Sequence, residues 1–334
     1  MTRGGGIAAN IEAPLLSIRG LQTWFETDRG TVRAVDGVDI EVSRGEWLGV
    51  VGESGSGKSA TFSSVMGLVR PPGRIVAGSI RFDGTELTAL DERTRRAMRG
   101  RDLAMTMQDA LTALNPALTV GTQIIEVLEA HGLASSRSAA RVRAVELMRL
   151  VGIPAAERRI GDYPHQFSGG MRQRIMIAIA LACRPRLLIA DEPTTALDVT
   201  IQAQVLDLIA ELRTQLGMSV VLITHNLGVV AAYCDRVAVM YAGQVVECGP
   251  TGDVIAAPAH PYTQGLLRSL PRIEDLDRPI QPIDGQVPDL TRPPVGCRFA
   301  SRCGFVEEGC SVPVEMQSIS GGWTARCIRV GGGR

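Results

Sequence analysis

The sequence predicts an α/β fold, a largely parallel sheet flanked by helices with a nucleotide site at its carboxyl edge, and three stretches carry that prediction. The first is Gly52-Glu53-Ser54-Gly55-Ser56-Gly57-Lys58-Ser59, a G-x-x-x-x-G-K-S loop that directly follows the apolar run Trp47-Leu48-Gly49-Val50-Val51. Gly52, Ser54, Gly55 and Gly57 form a loop whose bare backbone N–H groups can converge on one point. The helix behind them adds its positive end, and Lys58 adds a full charge. A nucleoside triphosphate is the natural ligand, with the Ser59 hydroxyl placed for the magnesium ion that bridges its terminal phosphates. The second stretch is Leu187-Leu188-Ile189-Ala190-Asp191-Glu192, the pattern of a strand buried on both faces and ending in acid. Such a strand delivers charge to the sheet edge where the phosphate loop lies. Asp191 is then a magnesium ligand, direct or through water, and Glu192 is the candidate to take a proton from an attacking water. The third is the apolar run Val220-Val221-Leu222-Ile223-Thr224, followed by His225.

The remaining elements follow in chain order. Residues 1–13 are polar and glycine-rich at their start and are expected to be disordered. Leu15 to Val42 reads as strands separated by the polar turn Glu26 to Thr31. The helix after Ser59 is expected to end before Pro71-Pro72, and Ser79-Ile80-Arg81-Phe82 leads into a turn at Asp83-Gly84. Arg93, Arg95, Arg96, Arg99 and Arg101 form a basic cluster, read as a solvated helix face. Thr112 to Asp162 is mostly helical, includes the amphipathic segment Ala139 to Val151, and interrupts the strand–helix alternation. Ser168 is an N-cap residue with glycine amides behind it, so it opens a second helix terminus suited to an anion. Beyond Gly249 the alternation stops, and the proline-rich tail is expected to be unable to continue the sheet.

Ser168-Gly169-Gly170-Met171-Arg172-Gln173-Arg174 resembles the signature motif of ATP-binding cassette (ABC) proteins. The resemblance implies a P-loop NTPase cassette over residues 14–258 with an inserted helical subdomain at about 112–175. It implies that Ser168, Gly169 and Gly170 of one subunit close over the nucleotide on the phosphate loop of another. Gln108, in Met105-Thr106-Met107-Gln108-Asp109, matches the glutamine that senses magnesium and the attacking water and links to the membrane partner. Around it, Met107 and Ala110 stand where the family often has Phe and Pro. Thr195-Ala196-Leu197-Asp198 resembles the loop that communicates across the dimer, and His225 matches the switch histidine that contacts the γ-phosphate. Phe25, with Trp24 as the alternative, stands where the family places a ring that stacks on adenine. Adjacent strand residues point to opposite faces, so only one of the two can stack. One phosphate loop and no internal repeat give one nucleotide-binding unit.

The tail, residues 259–334, narrows the resemblance. His260-Pro261-Tyr262-Thr263-Gln264-Gly265-Leu266-Leu267, Gly285-Gln286-Val287-Pro288 and Pro293-Pro294-Val295-Gly296-Cys297, together with the cassette motifs, resemble the ATP-binding subunits of oligopeptide and dipeptide ABC importers from about Leu15 to Cys327. That implies a second ATP-binding subunit, expected to be a non-identical homologue, two transmembrane permeases and an extracytoplasmic substrate-binding protein. Peptide is the implied cargo, with nickel or another small solute as the runner-up. Cys297, Cys303, Cys310 and Cys327 are spaced C-x5-C-x6-C-x16-C. Disulfides are disfavoured in a reducing cytosol, and structural zinc usually shows tighter pairs, whereas four thiolates suit an iron-sulfur cluster. The resemblance implies a [4Fe-4S] cluster, and zinc or unliganded thiols stay open beside it. Cys183, Cys234 and Cys248 read as small core residues.

Composition narrows the alternatives. The 334 residues carry 35 basic and 35 acidic side chains, a formal net charge of zero. No bulk attraction to nucleic acid follows, and no nucleic-acid partner is expected. The N-terminus has no signal-peptide pattern, and no apolar run approaches the ~20 residues that span a bilayer. The expected location is the cytoplasmic side of the inner membrane, bound peripherally through protein partners. A soluble cassette protein of DNA repair or translation would carry a long coiled-coil insert or two cassettes, and neither is present. Complete hydrolytic motifs argue against a chain whose main role is redox sensing.

Overall fold

A computed structural model describes residues 13–107, 110–194, 197–269 and 281–330. The chain opens with β1 (Leu16–Thr27), β2 (Gly30–Val42), β3 (Trp47–Val51), α1 (Lys58–Val65), β4 (Gly73–Phe82), β5 (Thr85–Glu86), α2 (Glu92–Met98) and β6 (Leu103–Thr106). A helical stretch follows: α3 (Ala110–Ala113), α4 (Val120–Ala130), α5 (Arg137–Leu150), α6 (Ala156–Arg159) and α7 (Gly169–Leu181). Alternation then resumes with β7 (Leu187–Asp191), α8 (Val199–Leu216), β8 (Ser219–Thr224), α9 (Leu227–Tyr233), β9 (Arg236–Tyr241) and β10 (Gln244–Pro250). The tail holds α10 (Thr251–Ala256), α11 (Pro261–Arg268), β11 (Gln317–Ser320) and β12 (Trp323–Ala325).

The strands make two sheets, a four-stranded one of order β2-β1-β4-β5 and an eight-stranded one of order β11-β12-β10-β9-β3-β8-β7-β6. In the larger sheet β9, β3, β8, β7 and β6 run parallel, and β10 closes onto β9 in antiparallel register. Along β3 the side chains divide between two cores. Trp47 and Val51 join the core built with the helices, while Leu48 and Val50 join the core shared with the smaller sheet. Burial on both faces is why these strands read as unbroken apolar runs rather than alternating ones. Helix α1 packs Phe62 and Val65 into the core shared by the two sheets, which fixes the phosphate loop at its start.

The helical stretch builds its own packing from a stripe. Ala140, Ala144, Leu147 and Met148 of α5 are buried at one-turn spacing, and Ser136 caps the helix by accepting from Ala139 N. Thr119 caps α4 in the same way. Three sequence expectations are corrected here. The tail does continue the sheet: β12 pairs antiparallel with β10 (Glu247 opposite Ala325) and β11 pairs with β12. The basic cluster is not simply a solvated face. Arg99 donates to Met66 O at 2.7 Å and Gly67 O at 3.0 Å, satisfying carbonyls at the carboxyl end of α1, and its fork also holds Glu92. Of the three cassette cysteines only Cys234 is buried; Cys183 and Cys248 are partly exposed.

Candidate functional site

The phosphate loop spans residues 52–57, between the last residue of β3 and the first of α1. Gly52, Ser54 and Gly55 lie along it, and Gly57 caps α1 in the left-handed region at φ 100°. A Cβ on Gly57 would stand 2.3 Å from Ala34 O, so sterics and backbone conformation both require glycine there. The Lys58 ammonium is buried and donates to Gly52 O at 2.7 Å and Glu53 O at 2.9 Å. Burial lowers its pKa, opposed by the charges of Glu192, Asp191 and Glu53.

Asp191 ends β7 between β6 and β8 and accepts from Ser59 Oγ at 3.1 Å. Burial raises its pKa above the ordinary carboxylate value and Glu192 adds to the rise, while the Ser59 hydrogen bond and Lys58 pull the other way. A carboxylate and a hydroxyl held together where burial disfavours the anion suit a divalent cation, which would supply the missing positive charge. Glu192 follows in the left-handed region at φ 44°, a costly conformation for a residue with a Cβ. Its N–H donates to Ile223 O at 2.9 Å, and its carboxylate lies 3.6 Å from His225 Nδ1. Strands β3, β8 and β7, adjacent in the sheet, thus bring Lys58, Ser59, Asp191, Glu192 and His225 to one carboxyl edge.

A second grouping lies where α7 meets α8. Ser168 caps α7, its Oγ accepting from Met171 N at 3.4 Å, and Asp198 caps α8 by accepting from Ile201 N at 2.9 Å. Gly170 is pressed against α8, since a Cβ there would come 2.5 Å from Ile201 Cγ2, and Gly169 faces Leu197. Phe25 packs its ring against Gly73, where a Cβ would stand 2.4 Å from its Cε1, while Arg33 lies over the Trp24 ring with its guanidinium carbon 5.0 Å from the centroid. Gln108, Thr195 and Ala196 lie outside the described residues.

The tail reaches the phosphate loop directly, through residues that sequence reasoning missed. Tyr262 Oη accepts from Glu53 N at 2.9 Å, and the Arg302 guanidinium grips the Glu53 carboxylate at 2.8 and 3.1 Å. Tyr241, Tyr262 and Phe299 pack in tilted and edge-to-face pairs between the sheet and the tail, with Tyr241 and Tyr262 centroids 4.5 Å apart. Arg302 immediately precedes a cysteine of interest, and that adjacency was the one available signal.

Cys297, Cys303, Cys310 and Cys327 line one small cavity with His260, Phe299 and Val314. Burial raises the pKa of Cys297, Cys303 and Cys327, while backbone N–H groups of Phe299, Phe305 and Arg329 respectively pull back toward the thiolate. The four thiols therefore share a site, and the donor set has the chemistry for a soft metal. Among the described residues, however, no three His, Cys, Asp or Glu side chains stand in a metal-holding arrangement. All seven cysteines are free, and the expected iron-sulfur cluster has no direct support in the present spacing.

Comparison with known proteins agrees with this geometry. Residues 35–195 match the ABC transporter family, and residues 246–310 match the oligopeptide/dipeptide transporter C-terminal region. A Brucella abortus (strain 2308) protein named as a peptide import ATP-binding protein is 49% identical over 316 residues, covering 94% of this chain and 95% of the relative. A Brucella melitensis biotype 1 protein of the same description is 51% identical over 329 residues, covering 95% and 97%. Among solved structures, a dimeric ATP-binding cassette in a post-hydrolysis state with ADP and Pi matches at TM-score 0.63 and 26% identity, over 71% of this chain and 98% of that one. A Clostridium perfringens cassette described as part of an ABC transporter complex matches at TM-score 0.61 and 27% identity, over 74% and 92%. Phosphate loop, acid-ended strand and capped signature helix on this sheet define an ATP-binding cassette. The chain belongs to the ABC transporter family and carries the C-terminal region of its oligopeptide/dipeptide transporters. Among the described residues no helix is long and apolar enough to cross a membrane.

Proposed function

We propose that this chain is the ATP-hydrolysing subunit that powers import of oligopeptides or dipeptides through partner permeases. The observation that carries the reading is the union, in one chain, of the peptide-transporter tail with a sheet edge that gathers Lys58, Ser59, Asp191, Glu192 and His225. The phosphate-loop amides of residues 52–57 and Lys58 hold the triphosphate of ATP. Ser59, Asp191 and Gln108 hold the magnesium ion, which supplies charge neutralisation at the terminal phosphates. Glu192 takes the proton of the attacking water, and His225, 3.6 Å from it, contacts the γ-phosphate. Phe25 stacks on adenine, with Trp24 as the other candidate.

Ser168, Gly169, Gly170 and Asp198 face the nucleotide of a second cassette, a homologous subunit, in an assembly with two permeases and an extracytoplasmic binding protein on the inner membrane. The side-by-side caps of α7 and α8 support that pairing. The four tail cysteines would hold a [4Fe-4S] cluster on rearrangement of their side chains; their shared cavity and the N–H groups aimed at three of the sulfurs support a thiolate site. The test is phosphate release by the assembled complex. Glu192→Gln should keep ATP affinity and slow turnover by about 10²- to 10⁴-fold. Near wild-type turnover would remove Glu192 from its role.

A further inference from the structure

Glu53 poses an electrostatic problem. It places a carboxylate inside the loop that receives a polyanion, close enough to act on the Lys58 ammonium. Arg302 answers that charge from the far end of the chain. Its side chain is 5% exposed and Glu53's is 28% exposed, so the pair is shielded from solvent far more than a surface ion pair. The guanidinium is held on every side. Nη1 and Nη2 take the two Glu53 oxygens, Nη2 also donates to Ile283 O at 2.9 Å, and Nε donates to Asp284 O at 2.9 Å. A planar fork fixed in this way can present one geometry to the loop.

The backbone of the loop is gripped as well. In the Gly52–Glu53 peptide, the carbonyl accepts from Lys58 Nζ at 2.7 Å and the N–H donates to Tyr262 Oη at 2.9 Å. Tyr262 is fully buried, so the tail sets the plane of that peptide from one side while Lys58 holds it from the other.

We propose that Arg302 and Tyr262 are positioning residues for the ATP site: the C-terminal extension neutralises Glu53 and sets the first peptide of the phosphate loop, so that the docked tail raises the affinity of the loop for a triphosphate. This rests on the nucleotide-binding reading of the loop. It couples the cysteine-lined cavity to ATP affinity, because Arg302 adjoins Cys303 in the chain and Tyr262 lies two residues after His260, which lines that cavity.

The test is binding of MgATP, ADP and AMP to the full chain at two ionic strengths. Arg302→Gln leaves Glu53 uncompensated, and MgATP affinity should fall on the order of ten-fold at low salt. The loss should shrink from ATP to ADP to AMP and with added salt, which loss of fold alone would not produce. Arg302→Gln combined with Glu53→Gln removes both charges and should return MgATP affinity to within about three-fold of wild type. Arg302→Gln with unchanged affinity, or a double variant no better than Arg302→Gln, would overturn the proposal. If Arg302→Gln does not fold, Tyr262→Phe keeps the ring and removes only the acceptor of Glu53 N–H. A several-fold weaker MgATP affinity is then expected, and unchanged affinity would overturn the tail's hold on the loop. Wild-type protein that binds no MgATP would instead overturn the underlying nucleotide reading.

Discussion

Replacing Glu247 by glutamine should release the tail from the sheet. The Glu247 side chain has no solvent exposure, and its carboxylate collects three donors: Ala259 N at 2.8 Å and Trp323 Nε1 at 2.9 Å on Oε1, and His260 N at 2.9 Å on Oε2. These donors come from the lead into α11 and from β12, so one carboxylate joins β10 to both ends of the tail. An amide can keep its oxygen on the two-donor side, but its NH₂ group then faces the His260 N–H. A buried donor loses its partner, at about 1–3 kcal/mol, and the two surviving bonds lose their charge assistance. Removing the charge recovers some desolvation, which leaves roughly 2–4 kcal/mol. Hydrogen exchange reads this out locally. The Arg326 N–H donates to Val246 O at 2.8 Å across the β10–β12 edge, while Val220 N donates to Glu46 O at 2.9 Å in the parallel core. In Glu247→Gln the Arg326 amide should exchange about 30- to 700-fold faster, at ten-fold per ~1.4 kcal/mol, with the Val220 amide little changed. Equal exchange at Arg326 in both proteins would refute the reasoning. Equal acceleration at both amides would show that the tail and cassette unfold as one unit.

Two further outcomes are expected. Light scattering of Glu192→Gln with ATP and a homologous cassette subunit should show a paired species that disappears without ATP, as the proposed contact of Ser168 and Asp198 with the opposite nucleotide requires; a mass independent of ATP would contradict this. Glu86 supplies a pH test. Burial pushes its pKa up, but hydrogen bonds from Ser79, Thr88 and the Ile80 N–H outweigh that and hold it at about 2, below the ordinary 4.5. A depressed folded-state pKa stabilises above pH 4.5 and loses that contribution as pH falls toward 2. The stability gap between wild type and Glu86→Gln should therefore close across that window in denaturation midpoints, and a constant gap would rule the linkage out.

The sequence made the parallel core legible because burial on both faces leaves unbroken apolar runs, as in β3, β7 and β8. The phosphate loop and the acid after β7 were legible because glycine, lysine and carboxylate at fixed spacing have few other uses. The helical stretch was legible as a whole, through the amphipathic segment Ala139 to Val151, while the caps Thr119 and Ser136 emerged only in the structure. What stayed hidden depends on distant pairing. Strands β11 and β12 are four and three residues long, too short to show a pattern, and only the pairing of β12 with β10 and of β11 with β12 makes them strands. Arg302 and Glu53 stand 249 positions apart, Arg302 belongs to no motif, and Glu53 fills an unspecified position of the phosphate loop. The fold nonetheless places tail and phosphate loop in hydrogen-bonding contact, through Tyr262 and Arg302 on Glu53.

The central claim is that ATP hydrolysis at this edge drives peptide entry. The most direct measurement is uptake of a labelled dipeptide into vesicles that carry this chain, its homologous partner, both permeases and the binding protein, supplied with MgATP on the cassette side. Uptake should require ATP, stop with Glu192→Gln, and fall with Lys58→Ala. Uptake that persists at the wild-type rate in Glu192→Gln, or that proceeds equally without ATP, would contradict the account.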